Sequence, residues 1–223
     1  MILRGNFKHN FIYKPEVKIE SKDEQGRRIY STPDGDFPSV TTVTGWEKRK
    51  FFASWRKNNL QESQRVCSRG TTLHSMAEKY ILNEDLDLST YDDNEVKLFN
   101  ILLPEINQID EVYAIEAMLW GNRVGLAGRA DCIAKYKNKN CIIDFKGSTK
   151  EKYKEDIENY FLQATAYSLM WQEQTGEKIP NIVIMMATET GKLQLFEEKA
   201  INYIEPLKIA IDKYMKDNYD DSI

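Results

Sequence analysis

The sequence predicts an α/β fold in which a small mixed β-sheet is flanked by helices. Two observations lead to this class. Apolar residues recur at helical spacing up to about residue 110, and they then alternate with polar residues over three consecutive segments between 111 and 145. A strongly apolar helical pattern over 157–175 follows, and a further apolar strand comes after it. A helix therefore crosses over between strands of one sheet.

The chain of 223 residues fits one large domain of ordinary composition, since 41% of its residues are hydrophobic and 30% are charged. Within this domain we expect four consecutive regions. They are a β-rich N-terminal arm (1–38), a helical region (39–110), the main sheet with its crossover helix (111–200), and a C-terminal helix with an acidic tail (201–223).

The N-terminal half supplies the arm and three helices. Residues 1–38 are rich in strand formers, and the stretch STPDGDFP is dense in turn residues, which predicts a short β-hairpin or an extended arm. Helical spacing then predicts one helix over 47–59, a second that begins between Ser68 and Thr72, and a third over 93–109. The first of these helices carries an apolar face formed by Phe51, Phe52 and Trp55.

The C-terminal half supplies the sheet and two more helices, which are predicted over 157–175 and 202–218. Segments rich in strand formers predict five strands, over 111–120, 126–134, 141–145, 181–189 and 192–199. The second and third of these form a hairpin. The fourth is almost wholly apolar, which predicts an interior position in the sheet.

Net charge and cysteine content limit the functions of the chain. The formal net charge of −4 gives no overall attraction to nucleic acid, so such a function must depend on a local patch. One basic segment lies between Trp46 and Gly70. Three cysteines without a paired framework, and the lack of a signal-peptide core, predict a cytoplasmic protein with reduced, buried thiols. No apolar run approaches the roughly 18 residues of a membrane span, which predicts no membrane partner.

Two aspartates and a lysine lie along the predicted hairpin. Asp131 is near the start of one strand, Asp144 ends the other, and Lys146 follows with the same side-chain direction as Asp144. Buried carboxylates must be paired, hydrogen-bonded or bound to metal, because isolated burial is costly. With the backbone carbonyl of Phe145, the two carboxylates would make an oxygen-rich site suited to Mg²⁺, with Mn²⁺ as a substitute. A lysine beside that metal could orient a water or stabilise negative charge.

Four segments, in order along the chain, resemble a known nuclease family. GRAD (128–131) followed by DFK (144–146) resembles the PD-(D/E)xK nuclease signature in its RecB-type form, with alanine where the signature has proline. RGTTLHSMAEKY (69–80) resembles the upstream helix that carries a metal-binding histidine, and YFLQATAYSLMW (160–171) is similar to the downstream QxxxY helix. PSVTTV (38–43), followed by a helix rich in Trp, Lys and Arg, resembles the phage and mitochondrial genome maintenance exonuclease subfamily.

The resemblance implies a restriction-endonuclease-like core and roles for individual residues. The implied metal ligands are His74, Asp131 and Asp144, and Lys146 would be the catalytic lysine that acts with the two aspartates. Glu116, on the preceding strand, is an accessory candidate that the motif does not require. Further residues that would support the site or contact DNA are Gln163, Tyr167, Arg49, Trp55, Lys57 and Arg69.

Each of these assignments has a structural alternative. Asp131, Asp144 and Lys146 would otherwise form an ion pair at a strand end, and a lone helical histidine such as His74 usually serves packing. The basic helix over 48–57 is either a solvated face over an apolar stripe or a surface for single-stranded DNA, and the sequence favours neither. The ordered set of four matches favours the catalytic alternative for the hairpin.

The expected function is that of an Mg²⁺-dependent deoxyribonuclease. We expect an exonuclease that hydrolyses single-stranded DNA ends or flaps in replication, recombination or repair. The resemblance further implies a phage-encoded protein that works in the host cytoplasm, with other replication or recombination proteins as partners. The alternatives are a structure-specific endonuclease on the same fold and a DNA-binding module that does not cut.

Overall fold

The computed structural model describes residues 1–13, 19–24 and 26–219. Six α-helices occur among these residues: α1 (Val40–Thr44), α2 (Arg49–Asn58), α3 (Leu60–Ile81), α4 (Asp93–Ile106), α5 (Glu158–Thr175) and α6 (Ile204–Tyr219). No helix in this described part of the chain is long and apolar enough to cross a membrane.

Eleven strands lie in the same residues: β1 (Ile2–Leu3), β2 (Lys8–His9), β3 (Glu20–Glu24), β4 (Arg27–Thr32), β5 (Gly35–Pro38), β6 (Leu86–Asp87), β7 (Ile109–Gly121), β8 (Leu126–Tyr136), β9 (Lys139–Ser148), β10 (Asn181–Thr188) and β11 (Leu193–Lys199). The main sheet has the order β11-β10-β9-β8-β7-β2. Its β9–β10 pair is parallel, whereas β7–β8, β8–β9 and β10–β11 are antiparallel. The predicted fold class, a small mixed sheet flanked by helices as in a restriction-endonuclease-like core, is confirmed.

Alternation along β9 divides the core into two layers, one on each face of the sheet. Ile142 packs with residues of α5, α1 and α6, including the buried Trp171. The neighbouring side chains Ile143 and Phe145 point to the other face, where they meet α3 and α4 around residues such as Phe99. Successive side chains of a strand point to opposite faces, so a strand covered on both sides is apolar at nearly every position.

Helix α3 begins at Leu60, upstream of its predicted start. Gly70, a residue that weakens a helix by about 1 kcal/mol, lies inside it. The added turns are held by Arg65, which bonds to Glu62 within the helix and to Glu189 beyond β10. Contacts outside the helix therefore outweigh the local cost of the glycine.

The N-terminal arm forms more than the predicted hairpin. Strands β3, β4 and β5 build a separate three-stranded antiparallel sheet, while β1 pairs with β6 and β2 pairs with β7. Residues 14–18 of the predicted arm and 220–223 of the predicted acidic tail lie outside the described residues. The carbonyl of Arg28 on β4 accepts a hydrogen bond from the Ser39 amide, which leads directly into α1.

The three cysteines are free, and two of them are placed as predicted. Cys132 and Cys141 are buried between the sheet and α3. Cys67 is exposed, contrary to the prediction, because the buried face of α3 passes through Leu73 and Ala77 instead.

Candidate active site

Three acidic side chains and one histidine meet at one edge of the main sheet. Glu116 comes from β7, Asp131 from β8 and Asp144 from β9, while α3 contributes His74. Ligand atoms of His74, Glu116 and Asp131 all lie within 4.8 Å of one another. The Nδ1 atom of His74 is 3.4 Å from Oδ1 of Asp131. These three residues, called the histidine–carboxylate cluster below, have the composition of a divalent-cation site.

The position of Asp131 follows from where β8 and β9 separate. Their ladder ends at the pair Cys132 and Ile143, so Asp131 and Asp144 lie just beyond it. The Phe145 amide, which the ladder leaves without a carbonyl partner, donates instead to Oδ2 of Asp131 at 2.9 Å. This bond fixes one carboxylate oxygen and leaves Oδ1 directed at His74.

Glu116 enters the cluster through an irregularity of β7. Its neighbours Ile115 and Ala117 pair with Cys132 and Ala130, so Glu116 lies opposite Asp131. Its φ angle is +46°, a left-handed value that is uncommon for residues other than glycine. Two carboxylates in opposite positions of a ladder repel each other. Strained backbone and repelling charges persist together where another requirement holds them, typically a functional one.

Burial and neighbouring charges set the protonation of the cluster. Burial raises the pKa of Glu116 to about 7, and the Asp131 carboxylate adds to the rise. Burial also acts to lower the pKa of His74, but Asp131 outweighs it, so the net shift is upward. Burial acts to raise the pKa of Asp131, but the charge of His74 and its hydrogen bond outweigh burial, so the net shift of this pKa is downward. A divalent cation would remove the repulsion between the two carboxylates, and the donor set fits such an ion.

Lys146 and Asp144 form a close ion pair beside the cluster. The Nζ atom of Lys146 lies 2.7 Å from the carboxylate and donates to Oδ1. Gln163 of α5 donates to the same oxygen at 3.3 Å. Burial acts to lower the pKa of Lys146, but Asp144 and Asp131 raise it above its ordinary value, so the ammonium stays charged. The common side-chain direction predicted for Asp144 and Lys146 accounts for this contact.

The second oxygen of Asp144, Oδ2, is also buried, and it lies 2.7 Å from Nζ of Lys146. Burial raises the pKa of this carboxyl, although Lys146 opposes the rise. A buried carboxylate is costly unless a cation satisfies it, and the Lys146 ammonium does so here. Asp144 is therefore paired with Lys146 and does not by itself indicate a metal.

Helix α5 packs against the Lys146–Asp144 ion pair. Tyr160 places its ring 5.0 Å from the Lys146 ammonium, a cation–π distance. Tyr167 is buried, and its hydroxyl would lie 3.0 Å from a Cβ atom at Gly128, so any larger residue there would crowd the tyrosine. Tyr160 was not among the predicted site residues. Its spacing of three residues from Gln163 puts both on one helical face, which is the signal that could have identified it.

A cavity of about 370 Å³, called the site cavity below, opens over these groups. It is lined by His74, Asp131, Lys146, Gln163, Tyr160, Tyr167, Arg129, Asn159, Gly128 and, from the N-terminal sheet and α1, by Arg28, Tyr30, Ser39, Val40, Thr41 and Thr44. Charged and aromatic groups therefore converge on one concave surface, which is the usual form of a ligand site.

The predicted metal ligands are brought together in a different combination. The structure gathers His74 and Asp131 with Glu116, the accessory candidate, whereas Asp144 is engaged with Lys146. Phe145 contributes a backbone amide bond to Asp131, and metal binding by its carbonyl stays a prediction. The motif could not show whether Glu116 is a metal ligand, because the approach of Glu116 to His74 depends on the irregular pairing of β7.

Helix α2 has no buried residue, which corrects the predicted apolar face. Phe51 is 68% exposed and Phe52 is 46% exposed, while Trp55 is half-buried. Lys57 is exposed as well. Arg49 stacks 3.5 Å above the Trp46 ring and also reaches Asp217. The aromatic rings of α2 do not serve the core, so the alternative of a packing stripe loses its support.

Arg69, another predicted contact to DNA, is buried. Its guanidinium bonds to Glu189 and, at 3.1 Å, to the carbonyl of Gly147. It thereby joins α3 to the ends of β9 and β10. These contacts favour a structural role for Arg69.

Comparison with known proteins adds two curated relatives, although no protein-family model matches the chain. Both relatives are named mitochondrial genome maintenance exonuclease 1. The Xenopus tropicalis protein is 24% identical over 148 residues, which cover 60% of this chain and 43% of the relative. The human protein is 28% identical over 133 residues, which cover 57% of this chain and 38% of the relative. The similarity thus spans less than half the length of each relative.

One solved structure is also similar, a crystal structure from Eubacterium rectale whose description proposes an exonuclease. Its sequence identity with this chain is 15% and its TM-score is 0.40, with 79% of this chain and 65% of that chain covered. A likeness at this level supports no conclusion about fold or function.

Proposed function

We propose that this chain is a divalent-metal-dependent deoxyribonuclease of the PD-(D/E)xK type. The observation that carries the proposal is the junction, at one sheet edge, of the histidine–carboxylate cluster with the Lys146–Asp144 ion pair. Both curated relatives are named exonucleases, which supports a nuclease role. Since the chain matches less than half of each relative, the activity and substrate of the whole protein belong to the proposal.

The donor set suits Mg²⁺, with Mn²⁺ as a substitute, because both ions accept carboxylate oxygens and Mn²⁺ also accepts imidazole. His74, Glu116 and Asp131 would hold the ion, with Asp144, the other predicted ligand, paired to Lys146 beside it. When bound, the ion would neutralise charge on a phosphodiester and make water a stronger nucleophile.

The residues of the chain supply position and charge. Lys146 stays protonated and lines the site cavity, so it can donate to a phosphate oxygen or hold the attacking water. Asp144 and Gln163 fix the lysine, and the ring of Tyr160 limits its movement. The reaction is hydrolysis by in-line attack of water, in which the P–O bond to the leaving nucleoside breaks and no covalent enzyme intermediate forms.

The finer function we propose is exonuclease action on single-stranded DNA ends or flaps in replication, recombination or repair. Exposed rings and cations on α2 support a single-stranded substrate, because unpaired bases stack on aromatic side chains while Lys and Arg bind phosphates. Both relatives are named for genome maintenance, which supports a role in replication, recombination or repair. A phage origin, other replication or recombination proteins as partners, and a cytoplasmic location remain parts of this proposal.

The test is digestion of end-labelled linear, flap and circular DNA with Mg²⁺, by the wild type and by Lys146→Ala and Asp144→Asn. Each variant should lose activity by about 100-fold or more, because each removes a group at the reacting phosphate. Lys178→Ala, which removes an exposed lysine away from the site, is the control. Full activity in either site variant contradicts the proposal. Cutting of circles supports an endonuclease, and binding without cutting supports a DNA-binding module.

A further inference from the structure

Arg28 of β4 stands where three cavities meet. It lines the site cavity. It also lines a second cavity with His74, Glu78 and Glu116. A third cavity, between the N-terminal sheet and α2, includes Arg28 together with Lys50, Phe52, Arg56 and others. A single side chain thus connects the histidine–carboxylate cluster to the basic and aromatic surface of α2.

The backbone of Arg28 is fixed on both sides. Its amide donates to Oγ1 of Thr42 at 3.4 Å, and its carbonyl accepts from the Ser39 amide at 2.8 Å. Ser39 in turn forms a bridge to Ala127 of β8, the strand that carries Asp131. The N-terminal sheet is therefore attached to the same strand as the site, and Arg28 holds a fixed place beside it.

Alternation along β4 decides which side chains face the site. Ile29 is buried, while Arg28 on one side of it is exposed and Tyr30 on the other is half-buried. Because every second side chain of a strand shares a face, Arg28 and Tyr30 point the same way, and both line the site cavity. A cation and an aromatic ring therefore lie in adjacent positions along one wall of the cavity.

Within residues 1–13, 19–24 and 26–219, the charge of Arg28 has no acidic partner. No carboxylate among the described residues lies within ion-pairing distance of its guanidinium, and its side chain donates no hydrogen bond there either. Arg129, which lines the same cavity, is instead 3.7 Å from Glu116. A guanidinium on a fixed backbone, with no carboxylate partner among the described residues and beside a cluster suited to metal, matches the two-pronged binding of a phosphate.

We propose that Arg28 and Tyr30 form a nucleotide subsite next to the reacting phosphodiester, and that the single strand continues from there towards α2. Arg28 would bind a backbone phosphate, and the Tyr30 ring would pack against the adjoining sugar or base. The third cavity shares Arg28 and Thr41 with the site cavity and adds Lys50, Arg56 and the exposed Phe52 along the path. The inference rests on the proposed nuclease function and deepens it, since it assigns a substrate-binding role to the N-terminal sheet.

The test measures binding of a fluorescent single-stranded oligodeoxynucleotide to the full chain in EDTA, at several salt concentrations. Arg28→Gln should weaken binding about tenfold and reduce the slope of log K against log salt by about 0.7, as expected for one lost phosphate contact on a single strand. Arg28→Lys keeps the charge, so it should retain the slope and lose only part of the affinity. Arg123→Gln removes an equal charge from the exposed turn between β7 and β8, and it should change neither quantity.

A length series tests the path. For a trinucleotide, which carries one phosphate besides the reacting one, hydrolysis should slow in Arg28→Gln but not in Lys50→Gln, whereas a long oligonucleotide should be affected by both substitutions. Equal behaviour of Arg28→Gln and Arg123→Gln in every assay overturns the subsite while leaving nuclease activity in place. A wild type that neither binds nor cuts DNA overturns the proposed function itself, so the two failures are distinguishable.

Discussion

Glu116 shows at the scale of one residue how the geometry of the candidate site opposes stability. Its backbone has a φ angle of +46°, and its carboxylate faces Asp131 across the ladder. Burial raises its pKa to about 7. In the absence of metal, folding therefore favours protonated Glu116. The stability that this protonated carboxyl contributes is lost as the pH rises from about 4.5 through about 7.

We expect Glu116→Gln to have opposite effects on stability and on metal binding. Above pH 7 the metal-free variant should be more stable than the wild type by about 1–3 kcal/mol, because an ionised carboxylate is no longer buried. Its affinity for Mn²⁺ should fall by at least about tenfold, because one donor is lost. Denaturant unfolding at pH 8 and calorimetric Mn²⁺ titration measure the two effects.

Glu78→Gln is the matched control for that experiment. Glu78 lies in the cavity next to Glu116, one helical turn from His74, but outside the histidine–carboxylate cluster. The charge of Glu78 adds to the rise in the pKa of Glu116, so Glu78→Gln should change Mn²⁺ affinity less than the loss of a donor does. Loss of stability in Glu116→Gln at pH 8, or unchanged affinity, would show that Glu116 serves packing.

At the scale of elements, helix α3 is tied to the end of β10 by charge. Glu189, just past β10, accepts from Arg65 and Arg69, and Arg69 also reaches Gly147 on β9. The hydrogen bond from Arg65 lowers the pKa of Glu189 most. Burial acts to raise this pKa, but Arg69 also lowers it, so the net shift is downward. Because the folded pKa is lowered, this contribution to stability is present above the ordinary pKa of glutamate and is lost as the pH falls below it.

Glu189→Gln should therefore destabilise the protein by about 1–2 kcal/mol at pH 7, because a charged acceptor of two arginines becomes neutral. The difference from the wild type should shrink as the pH is lowered below about 4.5. Free energies of unfolding from urea titrations across this pH range measure it. Glu177→Gln, at an exposed position after α5, is the control. A difference that stays constant with pH would mean that the ion pair contributes nothing.

At the scale of the whole molecule, the site is built from elements that pack on opposite faces of the main sheet. His74 belongs to the helical layer of α3 and α4, whereas Gln163 and Tyr160 belong to the opposite layer of α5. The three-stranded N-terminal sheet closes the cavity with Arg28 and Tyr30. A ligand bound there would contact both layers and the added sheet, so it should stabilise the entire fold.

We expect Mn²⁺ at about 100 times its dissociation constant to stabilise the folded protein by about 2.7 kcal/mol. For a chain of this size, that corresponds to a rise in Tm of roughly 5–10 °C. EDTA should reverse the rise, and His74→Ala should abolish it by removing a donor of the cluster. Thermal unfolding followed by circular dichroism measures it. An equal rise in His74→Ala would place the ion elsewhere.

Local patterns in the sequence account for much of this architecture. The strands of the hairpin, the helix α5 and the interior position of β10 were predictable, because their apolar periods are set by faces that each element must bury. The start of α3 was not predictable. Arg65 and Glu189 are far apart in sequence, and their contact in the folded protein offsets the loss of helix stability at Gly70. The exposure of Phe51 and Phe52 was also hidden, because helical spacing alone does not reveal whether a neighbour covers the face.

The sequence by itself determined the fold class and the main chemical groups of the site. Asp144 and Lys146 meet because strand side chains repeat every two residues, and Asp131 follows from the hairpin. Only the tertiary structure decided that Glu116 joins His74 and Asp131, and that Arg28 faces the cavity with no acidic partner in the part of the chain that the structure describes. The physical reason is that both placements depend on contacts between distant segments: an irregular ladder in β7, and the attachment of β4 to β8 through Ser39.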